Sequence, residues 1–299
     1  MARIRFDRLP TERPNPRSRA LDRLGPAAIA RLMNRADHDV IRAVGRAAPA
    51  IGRAVTAIVA RLDTGGRLIF VGAGTSGRLG VIEAAECPPT FNTSPGQVQA
   101  VMAGGRAAVF RSVEGSEDDA RAGAHAMQRR ARRGDAVVGI AASGVTPFVR
   151  AALAEARKRG ALTVLVTCNP QVPRVAAGMV IALSVGPEVL AGSTRLKAGT
   201  ATKLALNTLT TAAFTRLGKV HGNRMVDLQP KSAKLRARAE RLVAELGRVS
   251  TPRARRLLDD ARGSAKVAIV MARHRESAGA ARRRLGAARG FLGRALAGC

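Results

Sequence analysis

Five short apolar runs, at residues 67–72, 98–103, 136–142, 162–168 and 179–185, constrain this chain more than any other feature. Most lack the polar alternation of a half-exposed strand, so they read as strands buried on both faces of a parallel sheet. Stretches with apolar residues at helical spacing separate them, at 77–86, 116–132, 146–159 and 197–216. A longer stretch, 27–62, precedes the first run and spaces Ile29, Leu32, Met33, Val40, Ile41 and Val44 for one helix face. Such alternation builds a doubly wound α/β layer whose ligands bind at the carboxyl ends of the strands. Residues 1–26, with Pro10, Pro14, Pro16 and Pro26, read as an irregular arm. After Asp227-Leu228-Gln229-Pro230 the character changes. Residues 231–299 hold no convincing strand and read as short helices broken near Gly247, Pro252, Gly263, Gly286 and Gly290. The expected organisation is an arm and helix over 1–45, an α/β domain over 46–228 and a small helical domain over 229–299.

The 299 residues suffice for one large domain or two modest ones. With no Trp or Tyr and seven Phe, the core must be built from Ala, Val, Leu and Ile. Cys87, Cys168 and Cys299 are widely spaced and odd in number, which argues against a disulfide framework and for a reducing cytoplasm. Met1-Ala2-Arg3-Ile4-Arg5 has charge without the apolar region of a secretion signal. No uninterrupted apolar run reaches the roughly 18–20 residues that span a membrane. The net charge of +30 is spread along the whole chain, and aromatic residues for stacking on bases are nearly absent. It reads as a solvated, arginine-rich surface rather than a specific nucleic-acid interface.

The chemistry concentrates where the first strand ends. Leu68-Ile69-Phe70-Val71 runs into Gly72-Ala73-Gly74-Thr75-Ser76-Gly77-Arg78-Leu79-Gly80 and then Ala85-Glu86-Cys87-Pro88-Pro89-Thr90. A glycine- and hydroxyl-rich turn between strand and helix offers free backbone N–H groups at a helix N-terminus, a seat for phosphate. Glu86 follows about two and a half helical turns later, a candidate for acid–base work on a phosphorylated substrate. Gly72, Gly74 and Gly77 match the dinucleotide fingerprint formally, but the second strand ends in Ala103-Gly104-Gly105-Arg106 without the acid that would hold a ribose. Thr75 and Ser76 fit a phosphate monoester better, and Walker spacing is absent. Ala142-Ser143-Gly144-Val145-Thr146-Pro147 forms a second ligand-facing turn, or an ordinary strand-to-helix loop. Gly186-Pro187-Glu188 and Ser193-Thr194-Arg195-Leu196-Lys197 add hydroxyls, a carboxylate and a cation near the same edge, although Lys197 also reads as a surface charge. Glu114 and Glu117 precede a helical pattern, where acids are favoured by the helix dipole alone. Glu83 and Glu86 share a helix face, and one of them reads equally as solvated. His38, His125, His221 and His274 lack metal-ligand spacing, so neither metal nor cofactor is expected. Cys87 reads as packed rather than nucleophilic.

Together these segments resemble the sugar isomerase (SIS) domain family, and within it the N-acetylmuramic acid 6-phosphate etherases. Thr11-Glu12-Arg13-Pro14-Asn15-Pro16, the segment 72–90, and the blocks 113–118, 139–148, 185–200 and 219–227 follow the family's order over roughly residues 10–230. The resemblance implies a five-stranded SIS sheet and cleavage of the lactyl ether at C3, giving N-acetylglucosamine 6-phosphate and D-lactate. It further implies that Glu86 donates a proton to departing lactate and that Glu117 is the base at C2. Gly74, Thr75, Ser76, Gly77, Arg78, Ser143, Gly144 and Thr146 are then candidates for phosphate and sugar hydroxyls, with Ser193, Thr194 and Lys197 completing the pocket. Glu188 matches a position used near the sugar carbon chain in related SIS enzymes. The family is dimeric and its sites can borrow groups from the partner subunit, so a cytoplasmic homodimer acting on a small sugar phosphate, away from membranes, is expected. Three segments depart from the family pattern. Val145 stands where the family usually has arginine, Glu83-Ala84-Ala85-Glu86-Cys87 replaces Asp-Ala-Ser-Glu-Cys, and Lys231-Ser232-Ala233-Lys234-Leu235 replaces Thr-Asn-Glu-Lys-Leu. Losing the arginine removes a potential contact to phosphate or to the lactyl carboxylate. The rivals are a sugar-phosphate-sensing regulator, which usually carries a helix-turn-helix ahead of the SIS domain, and an aldose-ketose isomerase of the same fold.

Overall fold

A computed structural model describes residues 9–172, 177–228, 230 and 232–297. The first eight residues of the arm, Lys231 and Cys299 lie outside the described residues. The chain forms two compact units, Met1–Ala84 with Gly96–Thr210, and Ala85–Pro95 with Thr211–Cys299.

In the first unit the arm contains two single 3-10 turns, Pro16–Ser18 and Leu21–Arg23. Helix α1, Pro26–Asp63, opens on proline, whose missing N–H costs nothing in a first helical turn. Leu32, Ala36, Val40, Ala43, Ala47, Ile51, Ala54, Ile58 and Leu62 form its buried stripe. It runs unbroken through residues 45 and 46, so the boundary expected there falls inside a helix. By length and composition α1 is long and apolar enough to cross a membrane. Its stripe instead packs on the sheet, against β3 (Ala136–Ile140), β4 (Leu162–Thr167) and β5 (Met179–Ala182).

Strands β1 (Leu68–Gly72) and β2 (Val98–Met102) complete a five-stranded parallel sheet of order β2-β1-β3-β4-β5. Leu68 pairs with Val98 on one side and with Ala136 on the other. All five β1 residues and all five β3 residues are buried, the pattern that their unbroken apolar runs predict. Between the strands lie α2 (Gly74–Phe91), α3 (Ala107–Phe110), α4 (Ala120–Arg130) and α5 (Pro147–Lys158), and α6 (Lys197–Arg216) follows β5. Ile69, Val71, Val137 and Leu165 pack with Met127, Phe148, Val149 and Leu153 of α4 and α5. Strand residues alternate in facing, so α1 covers the opposite side.

Two predicted helices have different bounds. The helix expected at 77–86 starts at Gly74 and runs to Phe91, past Pro88 and Pro89. The helix expected at 116–132 is split. Left-handed Gly115 leads into a 3-10 turn at Ser116–Asp118, and α4 begins only after Asp119, whose side chain accepts a hydrogen bond from Ala122 N–H. β1 ends at Gly72 with its apolar run, and the other four strands end one to three residues before theirs do.

In the second unit, β6 (Val220–His221) and β7 (Arg224–Met225) form a hairpin ahead of α7 (Ala233–Gly247), α8 (Thr251–Asp260), α9 (Ala265–His274), α10 (Ala278–Ala287) and α11 (Leu292–Ala295). Val226, Leu228, Val243, Leu258, Ile269 and Leu292 belong to a core of this unit's own. Ser232, Ser264 and Ser277 cap α7, α9 and α10. Pro252 lies in the first turn of α8, just after the break between α7 and α8. Gly247 is the last residue of α7 and Gly286 the last but one of α10, so both helices end where the sequence expects a break. The left-handed residues that follow α7, α8, α9 and α10 include Arg248, Arg262, Arg275 and Arg289.

Candidate functional site

A cleft of about 350 Å³ opens at the carboxyl ends of β1, β2 and β3. There the chain leaves β1 toward β2 on one side and β3 on the other, the reversal point at which open α/β sheets bind ligands. Its floor is the start of α2. Gly74 adopts φ +52°, a left-handed conformation that turns the chain from strand into helix. Gly72 and Gly77 let that turn close on the strand end. A Cβ on Gly72 would lie 2.6 Å from Gly77 N, and one on Gly77 would lie 2.8 Å from both Gly72 O and Met102 Cγ. Gly74, Thr75 and Ser76 line the cleft, and the first N–H groups of a helix have no partner within it. Two hydroxyl residues and a helix N-terminus thus line the same cleft, a combination that suits an anion.

Arg78 also lines the cleft, but its guanidinium is partly committed. Nε donates to Val109 O at 2.9 Å and one terminal nitrogen donates to Ala108 O at 2.8 Å, tying α2 to α3. Beyond β3, Ser143 and Thr146 form another wall. That turn is braced. Val145 N–H donates to Ser143 Oγ, Asn169 Nδ2 donates to Ser143 O, and Thr167 Oγ1 donates to Ala142 O. Glu117, on the 3-10 turn, lines the rim together with Glu114 and Ser116. Thr194 and Gly192 come from the loop ahead of α6. Of the residues singled out in the sequence, Gly74, Thr75, Ser76, Arg78, Glu117, Ser143, Thr146 and Thr194 therefore share one cleft.

The others do not line it, each for a physical reason. Gly77 is the buried contact that closes the α2 turn. Gly144, at φ +74°, is buried against Val172 and Thr167. Ser193 sits in a backbone turn, with its N–H on Leu190 O. Glu188 is wholly buried and accepts hydrogen bonds from the N–H groups of Lys197 and Ala198, both at 2.9 Å, which caps α6. Burial pushes its carboxyl above the ordinary range, against those two bonds. Lys197 is 2 % exposed, not a surface charge. Its Nζ donates to Val185 O at 2.7 Å and lies 3.6 Å from Asp39. Val145 is buried at 3 % exposure under the β3 turn. Of the two acids on one face of α2, Glu83 is buried and receives hydrogen bonds from Asn207 and Thr210, whereas Glu86 is exposed and is not among the cleft-lining residues.

The sequence reading missed a wall of the cleft formed by the arm, with Leu9, Thr11 and Glu12. Gly192 N–H donates to Thr11 O at 2.9 Å, and Thr11 is 1 % exposed. The available signal was the Thr11-to-Pro16 block itself, a proline-stiffened segment carrying a carboxylate.

Cys87 and Cys168 are buried and not disulfide-bonded, and burial raises the Cys168 thiol to about 12. A thiol so raised is a poor nucleophile.

Residues 50–157 match the family model of the glucokinase regulatory protein N-terminal SIS domain. The N-acetylmuramic acid 6-phosphate etherase of Gloeobacter violaceus is 53% identical over 266 residues, covering 88% of this chain and 87% of its own. The proteins of the same name from Rubrobacter xylanophilus and Geobacillus thermodenitrificans are 49% and 44% identical. They cover 95% and 97% of this chain and 98% and 99% of their own lengths. With a five-stranded parallel sheet of SIS type, a glycine-rich turn at its switch point and relatives of this identity over nearly the whole sequence, the chain belongs to the N-acetylmuramic acid 6-phosphate etherase family.

Proposed function

We propose that the chain cleaves the lactyl ether of N-acetylmuramic acid 6-phosphate, releasing D-lactate and N-acetylglucosamine 6-phosphate, as a step in cytoplasmic recycling of cell-wall sugar. The observation that carries this reading is the pairing, in one cleft, of an anion seat at the start of α2 with Glu117 at the rim. The phosphate takes the N–H groups of α2 and the hydroxyls of Thr75 and Ser76, while Ser143, Thr146 and Thr194 meet sugar hydroxyls.

The chemistry follows from the open-chain sugar. The C1 aldehyde acidifies the C2 proton, and Glu117 removes it. The C3–O bond breaks as Glu86 gives a proton to the lactate oxygen, leaving an unsaturated aldehyde. Water then adds at C3 and a proton returns to C2. Each acid–base group of this kind is worth roughly 10²–10⁴-fold in rate.

Glu86 lies ten residues beyond Ser76 in α2. Glu86 is exposed and does not line this cleft, and in this reading the protein is a homodimer in which the exposed Glu86 of one copy completes the cleft of the other.

The test is D-lactate release from N-acetylmuramic acid 6-phosphate by wild type, Glu86→Ala and Glu117→Ala. Release by wild type and its loss in both variants supports the reading. Folded wild type that binds the sugar phosphate but frees no lactate refutes it.

A further inference from the structure

The arm places a carboxylate in the cleft that the two-carboxylate reaction does not use. Glu12 lines the cleft, and only part of it is engaged with the protein. Thr11 Oγ1 donates to Glu12 Oε1 at 3.3 Å. Glu12 is exposed and, among the described residues, forms no ion pair, although the chain carries 51 basic residues against 21 acidic ones. Its backbone is nevertheless held. Glu12 N–H donates to Leu9 O, and the neighbouring Thr11 carbonyl takes Gly192 N–H. Gly192 adopts φ +78°, and a Cβ there would lie 2.9 Å from Glu12 Oε2, so glycine makes the room in which the carboxylate sits.

The wall that holds Glu12 adjoins the anion seat. Thr194 N–H donates to Gly192 O, and a Cβ on Gly199 would meet Thr194 O at 3.4 Å and Thr75 Cγ2 at 3.6 Å. A carboxylate on this wall stands toward the phosphate end of a bound sugar. It repels the phosphate itself, so its favourable partner is a hydroxyl donor on the carbons next to the phosphate.

We propose that Glu12 is a substrate-binding residue whose carboxylate accepts a hydrogen bond from a hydroxyl on the sugar carbon chain beside the phosphate. This rests on the phosphate seat at the start of α2 proposed above. Glu12 thereby distinguishes a polyhydroxylated phosphate monoester from phosphate alone.

Calorimetric titration of the full-length protein with N-acetylglucosamine 6-phosphate and with inorganic phosphate tests it, on wild type, Glu12→Ala and Glu12→Gln. In Glu12→Ala the sugar phosphate weakens roughly 10- to 100-fold, the range for a hydrogen bond to a charged group. Inorganic phosphate binds equally well or tighter, because a like charge is gone. Glu12→Gln, which still offers an acceptor oxygen, recovers part of the loss. In turnover, KM rises while kcat stays within a few-fold. Equal weakening of both probes shows that the arm only props the wall and overturns the proposal, as does unchanged sugar-phosphate binding. Wild type that binds neither probe overturns both the phosphate seat and the role of Glu12. Wild type that binds the sugar phosphate but frees no D-lactate refutes only the etherase reading and leaves the comparison of Glu12 variants decisive.

Discussion

The carboxylate of Asp135 is gripped by Arg67 through its backbone N–H at 3.0 Å, its Nε at 3.1 Å and a terminal guanidinium nitrogen at 2.6 Å. Arg132 N–H adds a further bond at 2.9 Å. Arg67 stands just ahead of β1 and Asp135 just ahead of β3, so the pair clamps the two central strands at the edge opposite the cleft. The Asp135 side chain is 3% exposed. Truncating one partner leaves the other charge half-buried and unpaired, and breaking such a pair costs about 3 kcal/mol. Asp135→Ala should lower the urea midpoint accordingly while leaving the cleft residues in place. Burial alone would raise the Asp135 carboxyl, but the bonds from Arg67 and Arg132 outweigh it and hold the carboxyl below its ordinary value. The stabilisation is therefore complete above about pH 4 and is lost as pH falls through the lower folded value. Wild type should lose stability in acid more steeply than Asp135→Ala, measured as urea midpoint against pH.

Glycine at 77 is required by space, not by backbone conformation. A Cβ there meets a carbonyl of the strand end and the Met102 side chain, both at 2.8 Å. Gly77→Ala must push the α2 turn away from β1, at a cost of about 1–3 kcal/mol, and it moves Thr75 and Ser76 with it. Phosphate affinity should fall at least several-fold. Gly52→Ala is the control. That glycine lies within α1 with open space around its Cβ position, so the substitution should stabilise by about 0.5–1 kcal/mol. A thermal melt of the two variants reads opposite signs.

Four arginines follow helices of the second unit in the left-handed conformation, Arg248, Arg262, Arg275 and Arg289, all near φ +54°. A residue with a Cβ pays roughly 1–2 kcal/mol there, a strain that glycine escapes. Arg248 and Arg275 are exposed, and each ends its helix through a backbone bond, from Arg248 N–H to Ala244 O and from Arg275 N–H to Met271 O. Arg248→Gly and Arg275→Gly keep those bonds. Each should raise the stability of the unit by about 1 kcal/mol, additively, because the two sites belong to different helix ends. Denaturant midpoints of the single and double variants check this.

Three of these four helix ends were legible in the sequence, because Gly247, Gly263 and Gly290 stand beside Arg248, Arg262 and Arg289. The parallel sheet was readable because a strand buried on both faces leaves an uninterrupted apolar run, as in Leu68–Val71 and Ala136–Ile140. The strand-to-helix turn was readable because Gly72, Gly74 and Gly77 are the residues that so tight a turn demands. The break after α9 was not, since it falls on Arg275, and arginine gives no turn signal. Lys197 and Glu188 looked like pocket residues because charge near a strand end suggests a ligand. Their burial shows what spacing cannot, that one caps α6 and the other pairs with Asp39. The Glu12 wall was missed because its neighbour in space, Gly192, lies 180 residues away in the chain.

The placement of Glu86 gives the most discriminating functional prediction. It is exposed, does not line the cleft and lies ten residues beyond Ser76 in α2. If each cleft draws Glu117 from one copy and Glu86 from the other, Glu86→Ala and Glu117→Ala are each inactive alone. Mixed under conditions that exchange subunits, they form heterodimers in which one cleft has both lesions and the other has neither. Half of a randomised population is heterodimeric and half of its clefts are intact, so D-lactate release should recover to about a quarter of wild type, as two-fold symmetry requires. If a single chain supplied both acids, every cleft in the mixture would lack one of them and no activity would return. Sedimentation of wild type must show a dimer for the recovery to occur. A monomer with full lactate release would rule out the shared site while leaving the etherase chemistry intact.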